Sequence, residues 1–196
     1  MRQISGYLIK YDSNSSPLNL GNGKTVIERF SPNSFADSVA SINAGQRSIE
    51  ANIEHQQNNA IVRLGITGKN VKLEHRNDGV FATIDLIDDT ISNDVFERAK
   101  AGIVNGLSIE FKPTINPSIT ASNGQYFRTI TRADLTGFGI VAKPAYPEST
   151  ITNVSESRAL SAADVVAITE EIKAHEKTRG QLDIYQYEAW LLGIRS

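Results

Sequence analysis

From Ile4 to Ala142 apolar and polar side chains alternate along much of the chain, and a period of two predicts strands. The first runs from Ile4 to Tyr11 and breaks at Asp12-Ser13-Asn14-Ser15-Ser16-Pro17, where every residue is a turn former. Gly21-Asn22-Gly23 predicts a tight hairpin that returns through Thr25-Val26-Ile27-Glu28. Ser48 to His55 alternates strictly. Ile49, Ala51 and Ile53 share one face with His55 at its end, and Ser48, Glu50, Asn52 and Glu54 take the other. Val71 to His75 and Val80 to Leu86 flank Arg76-Asn77-Asp78-Gly79, a strong hairpin signal. Leu107-Ser108-Ile109-Glu110-Phe111 follows as a strand stopped by Pro113, then a loop to Asn123-Gly124. Tyr126 to Arg132 and Leu135 to Ala142 are the last two strands expected.

Two stretches change to helical spacing. Ser31 caps the first, Pro32 opens it, and Phe35, Val39 and Ile42 repeat along one side. The second starts at Thr90 or Ser92, turns Val95, Phe96, Ala99 and Ile103 inward, and stops between Gly102 and Gly106. From Ser155 the strand pattern ends. Ser161-Ala162-Ala163-Asp164 opens a helix through Val165, Ile168 and Ile172, and Gly180 separates it from a second apolar helix over Leu182 to Ile194. The expectation is an α+β, mostly β body over residues 1–154 and a helical C-terminal tail over residues 155–196.

Composition narrows the function. A chain of 196 residues with 40% hydrophobic and 21% charged residues is globular. A net charge of -2 offers no footprint for a phosphate backbone, so no nucleic-acid partner is expected. The absence of cysteine excludes a disulfide framework, a thiolate zinc site and a cysteine nucleophile. No apolar run approaches the ~20 residues of a membrane-spanning helix, and a soluble cytoplasmic chain is expected.

A nucleophile must then be a hydroxyl, an amine or a carboxylate, and a hydroxyl needs a base within hydrogen-bond reach. The three histidines are His55, His75 and His175. His175 lies in the polar tail and reads as solvated. His55 leaves a strand for the polar run Gln56-Gln57-Asn58-Asn59, where it can transfer protons or simply bond its own loop. His75 sits at a similar strand end. Together with Asp85, Asp88 or Asp89 the pair could ligate a metal, but no spacing fixes their geometry, and a hairpin-shoulder histidine is the plainer reading. Ser108 shares the less apolar strand face with Glu110, in a window that is not the nucleophile elbow of α/β-hydrolases.

The order of the pieces resembles the prohead maturation proteases of tailed bacteriophages, relatives of the herpesvirus assembly proteases. The resemblance is carried by Gly6-Tyr7, Glu28-Arg29-Phe30, Asn33-Ser34-Phe35, His55, Leu64-Gly65 and Asp78-Gly79-Val80. It continues through Gly102 to Phe111, Ala133-Asp134-Leu135, and Val141 to Ala145. Together they span Ile4 to Thr150. The resemblance implies a compact β-barrel with packed helices and a serine endopeptidase with no cofactor and no metal. By it Ser108 is the nucleophile and His55 the general base. Family members commonly carry a glutamate two residues after the leucine matching Leu135, where this chain has Gly137. Asp134, the nearest carboxylate, then takes the third place, with Glu110 as the alternative. Backbone N–H groups after Ser108, or Arg128 or Arg132 acting through water, could hold the oxyanion, although the arginines read more plainly as ion-paired.

The resemblance further implies the major capsid protein and scaffold segments as substrates and a homo-oligomer, without nucleic acid or membrane. Its place is the host cytoplasm, inside assembling proheads. The tail falls outside the resemblance, and its apolar residues Tyr185, Tyr187, Trp190, Leu191, Leu192 and Ile194 suggest an oligomer contact, a tether or a processed piece. Two rivals stand: a non-catalytic capsid assembly or scaffold module on the same fold, and a metal-dependent hydrolase built on His55 and His75.

Overall fold

The computed structural model describes residues 1–21, 23–56, 59–157 and, in the C-terminal segment, 166, 167, 169–171 and 173. The elements in chain order are β1 (Arg2–Lys10), β2 (Leu18–Gly21), β3 (Lys24–Phe30), α1 (Ala36–Asn43), β4 (Glu50–Ile53) and β5 (Arg63–Ile66). There follow β6 (Val71–Arg76), β7 (Gly79–Leu86), α2 (Thr90–Lys100), β8 (Gly106–Pro113), β9 (Ser118–Ser122), β10 (Gln125–Ile130), β11 (Ala133–Val141) and β12 (Ile151–Glu156). The protein is mostly β with few helices, as the alternation predicts.

The ladders form three four-stranded sheets, ordered β12-β1-β7-β6, β2-β3-β10-β9 and β5-β4-β11-β8, rather than the closed barrel expected. The chain turns corners between them, and among the described residues isolated bonds and bridges cross there. Asp12 N–H donates to Phe30 O (2.8 Å) and Ala133 N–H to Ser34 O (2.9 Å). The apolar faces share one core, in which Leu8, Phe30, Phe35, Leu135 and Phe138 are wholly buried. Phe30 packs edge-on against Phe111 with ring centroids 4.8 Å apart, a geometry worth about 1 kcal/mol beyond area burial.

α2 begins as its sequence suggests. The Asp89 carboxylate accepts from Ser92 N–H at 2.6 Å, and Val95, Phe96 and Ala99 are buried. Gly102, at φ 70°, closes it as Ile103 N–H returns to Arg98 O at 2.9 Å. α1 starts later than expected. Ser31 to Phe35 fold into turns, with Asn33 at φ 63° and Ala36 N–H bonding Asn33 O, so Pro32 precedes the helix instead of opening it.

Two strands appear where none is predicted. β9 pairs antiparallel with β10 across the Asn123-Gly124 turn, yet all five of its residues are exposed, so it has no buried face to pattern. β12 pairs with β1 from Arg2↔Glu156 to Gly6↔Ile151 and carries the body past residue 154. The chain divides into two units, Met1–Ser157 and Arg158–Ser196. In the second, the described residues are helical. Gly180, the expected helix over Leu182 to Ile194 and its aromatic cluster lie outside the described residues. No helix among the described residues is long and apolar enough to cross a membrane.

Candidate active site

The sheet β5-β4-β11-β8 has an apolar face and a polar one, and the period of two sorts them. Ala51, Leu107, Ile109, Leu135, Phe138 and Ile140 are buried in the core. On the opposite face, register aligns two rows of three residues across β4, β11 and β8. One is Glu50–Gly137–Glu110 and the other Asn52–Gly139–Ser108. The middle residue of each row is glycine, so the central strand has bare backbone where its neighbours carry polar side chains.

Both glycines lie under close neighbours. A Cβ at Gly137 would sit 2.4 Å from Glu110 Oε2. A Cβ at Gly139 would sit 3.0 Å from Asn52 Oδ1 and 3.2 Å from the backbone nitrogen of His55. The carboxylate of β8 and the chain leaving β4 thus fold down onto the central strand from opposite sides.

His55 reaches this face through an irregular turn. β4 ends at Ile53, and Glu54 (φ 49°) and His55 (φ 58°) follow in the left-handed region, uncommon for residues with a Cβ. Glu54 holds the turn by both ends. Its N–H donates to Ile140 O at 3.1 Å, and its carboxylate accepts from Ala142 N–H at 2.7 Å. The expectation that His55 continues the parity of Ile49 and Ile53 is therefore corrected: the turn carries it to the polar face.

There the ring meets Glu110. His55 Nδ1 lies 2.8 Å from Glu110 Oε1, and an ionised carboxylate can only accept, so Nδ1 carries the proton in this bond. Asn52 Nδ2 donates to the same oxygen at 3.2 Å. The Glu110 side chain is 11% exposed and the His55 side chain 38%, so the carboxylate is sheltered while part of the ring faces solvent. Ser108, 7% exposed, stands on the same face as the cross-strand partner of Gly139, the residue over which the His55 backbone passes. Among the described residues no hydrogen bond joins its hydroxyl to the ring.

Asp134 is elsewhere. It lies five positions before Gly139 on β11, about 16 Å along the strand, opposite Lys112. Its carboxylate is 3.8 Å from Arg47 Nη2 and half exposed. The carboxylate beside His55 is Glu110, the alternative in the sequence reading, because β8 alternation puts residues 108 and 110 on one face. The signal that marks Glu110 and Asn52 is the Gly137-Phe138-Gly139 pattern, two glycines on one face of a strand with a core residue between them.

His75 belongs to a different sheet, on β6, where its ring lies 5.9 Å from that of Tyr11, tilted by 48°. Asp85 accepts from Gln3 at 2.8 Å, Asp88 from Asn93, and Asp89 caps α2. Among the described residues no three histidine, aspartate or glutamate side chains converge as a metal site. Arg128 pairs with the buried Glu28 and Arg132 with Asp37. His175 lies outside the described residues.

The family model described as caudovirus prohead serine protease matches residues 1–163. Among solved structures, the chain is similar to a KSHV protease crystallised with a hexapeptide phosphonate inhibitor. The TM-score is 0.45 at 10% identity, over 88% of this chain and 76% of that one. No curated relative matches the sequence.

Proposed function

The chain belongs to the caudovirus prohead serine protease family and is a serine peptidase of bacteriophage capsid maturation; we propose that Ser108 is its nucleophile, His55 its general base and Glu110 the carboxylate that orients the base. The observation that carries this assignment is the 2.8 Å bond from His55 Nδ1 to Glu110, made on the sheet face that Ser108 shares.

In this reading Glu110 accepts a hydrogen bond from Nδ1–H and so keeps Nε2 as an acceptor. As the Ser108 oxygen attacks a peptide carbonyl, Nε2 takes the hydroxyl proton. The imidazolium is stabilised by the sheltered carboxylate, then returns the proton to the leaving amine, and water repeats the sequence on the acyl-enzyme. The hydroxyl and ring close to hydrogen-bond distance when substrate enters, a tightening common between free and loaded enzymes. With Arg128 and Arg132 paired to carboxylates, backbone N–H groups remain as the oxyanion donors.

The substrates in this reading are segments of the major capsid protein and its scaffold, cleaved inside the assembling shell. Coexpression with shell and scaffold proteins tests it. Particles made with the wild-type chain should contain shortened proteins by intact mass spectrometry, and those made with Ser108→Ala should keep them full length. Identical masses from both, with assembly otherwise productive, would favour a non-catalytic assembly module.

A further inference from the structure

Asn52 is the one buried amide on the polar face of this sheet, at 1% exposure, and three observations on it converge. Its Nδ2 donates to Glu110 Oε1, the same oxygen that receives the His55 ring. Its orientation follows from chemistry: an ionised carboxylate accepts only, so the amide must turn its NH2 group toward it. Its other end gains nothing, since Oδ1 is buried without a hydrogen-bond partner. A stranded buried acceptor offsets what the bond to Glu110 contributes to stability, and an apolar side chain of the same shape would avoid it. Stability therefore does not explain an asparagine here.

Orientation of Glu110 does. A glutamate side chain has three torsions, and each donor on its carboxylate restricts them further. Asn52 approaches from β4, the His55 ring from the turn beyond it, and the bare backbone of Gly137 lies beneath Oε2. With both donors on Oε1, the carboxylate is held from two directions.

We propose that Asn52 is a positioning residue of this peptidase, a donor that clamps Glu110 so that Glu110 can hold His55 in the Nδ1–H tautomer. The proposal rests on the catalytic assignment above and adds to it a residue that touches neither the substrate nor the reacting atoms.

The test uses the full chain and a peptide substrate cut from the shell protein, with Asn52→Leu as the main variant and Asn52→Ala beside it. Leucine fills nearly the same volume and removes the stranded acceptor together with the bond to Glu110, so Tm should change little. Its kcat should nonetheless fall about 10- to 100-fold with KM little changed, the range found when an outer partner of a functional histidine is lost. In a double-mutant cycle, Asn52→Leu on top of Glu110→Gln should cost no more than about twofold, because the group it positions is already gone.

A second readout needs no catalysis. In 15N-labelled Ser108→Ala chain, the His55 Nδ1–H resonance should be sharp, and adding Asn52→Leu should broaden it or shift the ring toward the other tautomer. An unchanged ring spectrum together with wild-type kcat would overturn the proposal, as would full additivity with Glu110→Gln. If instead the wild-type chain cleaves nothing, the catalytic assignment fails, and the ring spectrum still decides whether Asn52 sets the tautomer.

Discussion

Glu110 and Asp134 differ in one physical respect that decides between them: only Glu110 is within bonding distance of His55. Glu110→Gln should keep the fold and lower kcat by several orders of magnitude, since an amide can present its NH2 and favour the wrong ring tautomer. Asp134→Asn should leave kcat within about twofold, because it removes only a half-exposed ion pair to Arg47. Steady-state kinetics on the two variants tests the assignment. Gly137→Ala adds a third case. The new Cβ would press on the tip of a flexible side chain, which can move away, so Tm should hardly change while kcat falls with the displaced carboxylate. Ser108 and Glu110 were legible as one polar strand face. The ring's position was not, because alternation assumes that the strand continues, and two left-handed residues flip the chain after Ile53. Asp134 was a matter of nearness in sequence, and a strand carries neighbours in sequence 3.3 Å apart per residue, away from the site.

Among the elements, those with a buried face were readable. β1, β4, β7, β8 and β11 bury alternate or continuous apolar residues, and α2 announces itself with the spacing of Val95, Phe96 and Ala99 and a closing glycine. β9 exposes every residue and exists only as the outer half of a hairpin, so no periodicity reports it. β12 is held by an edge: Arg2 Nε bonds Glu156 at 2.9 Å and the ladder to β1 does the rest. The turn after β4 is the element that the proposed assignment depends on most. Glu54→Ala removes the acceptor for Ala142 N–H and loosens two residues held in a conformation that costs of order 1–3 kcal/mol each. The expected result is a kcat lowered about tenfold with the sheet intact, since a ring misplaced by a fraction of an ångström loses proton-transfer geometry. Kinetics and circular dichroism on the same sample check it.

For the whole molecule, the first unit ends at Ser157, and β12 within it gives β1 a partner on both sides. A chain ending at Ser157 should unfold cooperatively. One ending at Thr150 should have a lower Tm and aggregate, since β1 becomes an exposed edge with Ile4 and Leu8 behind it. The barrel implied by resemblance is three open ladders around one core, a difference that hydrophobic patterning cannot detect: it reports which face is buried and is silent on which strand edges meet.

The central claim is that one serine among many is activated by one histidine, and an electrophile that reacts only with activated hydroxyls reads this directly. The chain would be treated with a peptidyl phosphonate matching a mapped cleavage site, digested and sequenced by mass spectrometry. The account predicts a single adduct on Ser108, abolished in His55→Ala and strongly slowed in Glu110→Gln. Labelling of another residue, or of Ser108 at the same rate without His55, would contradict it.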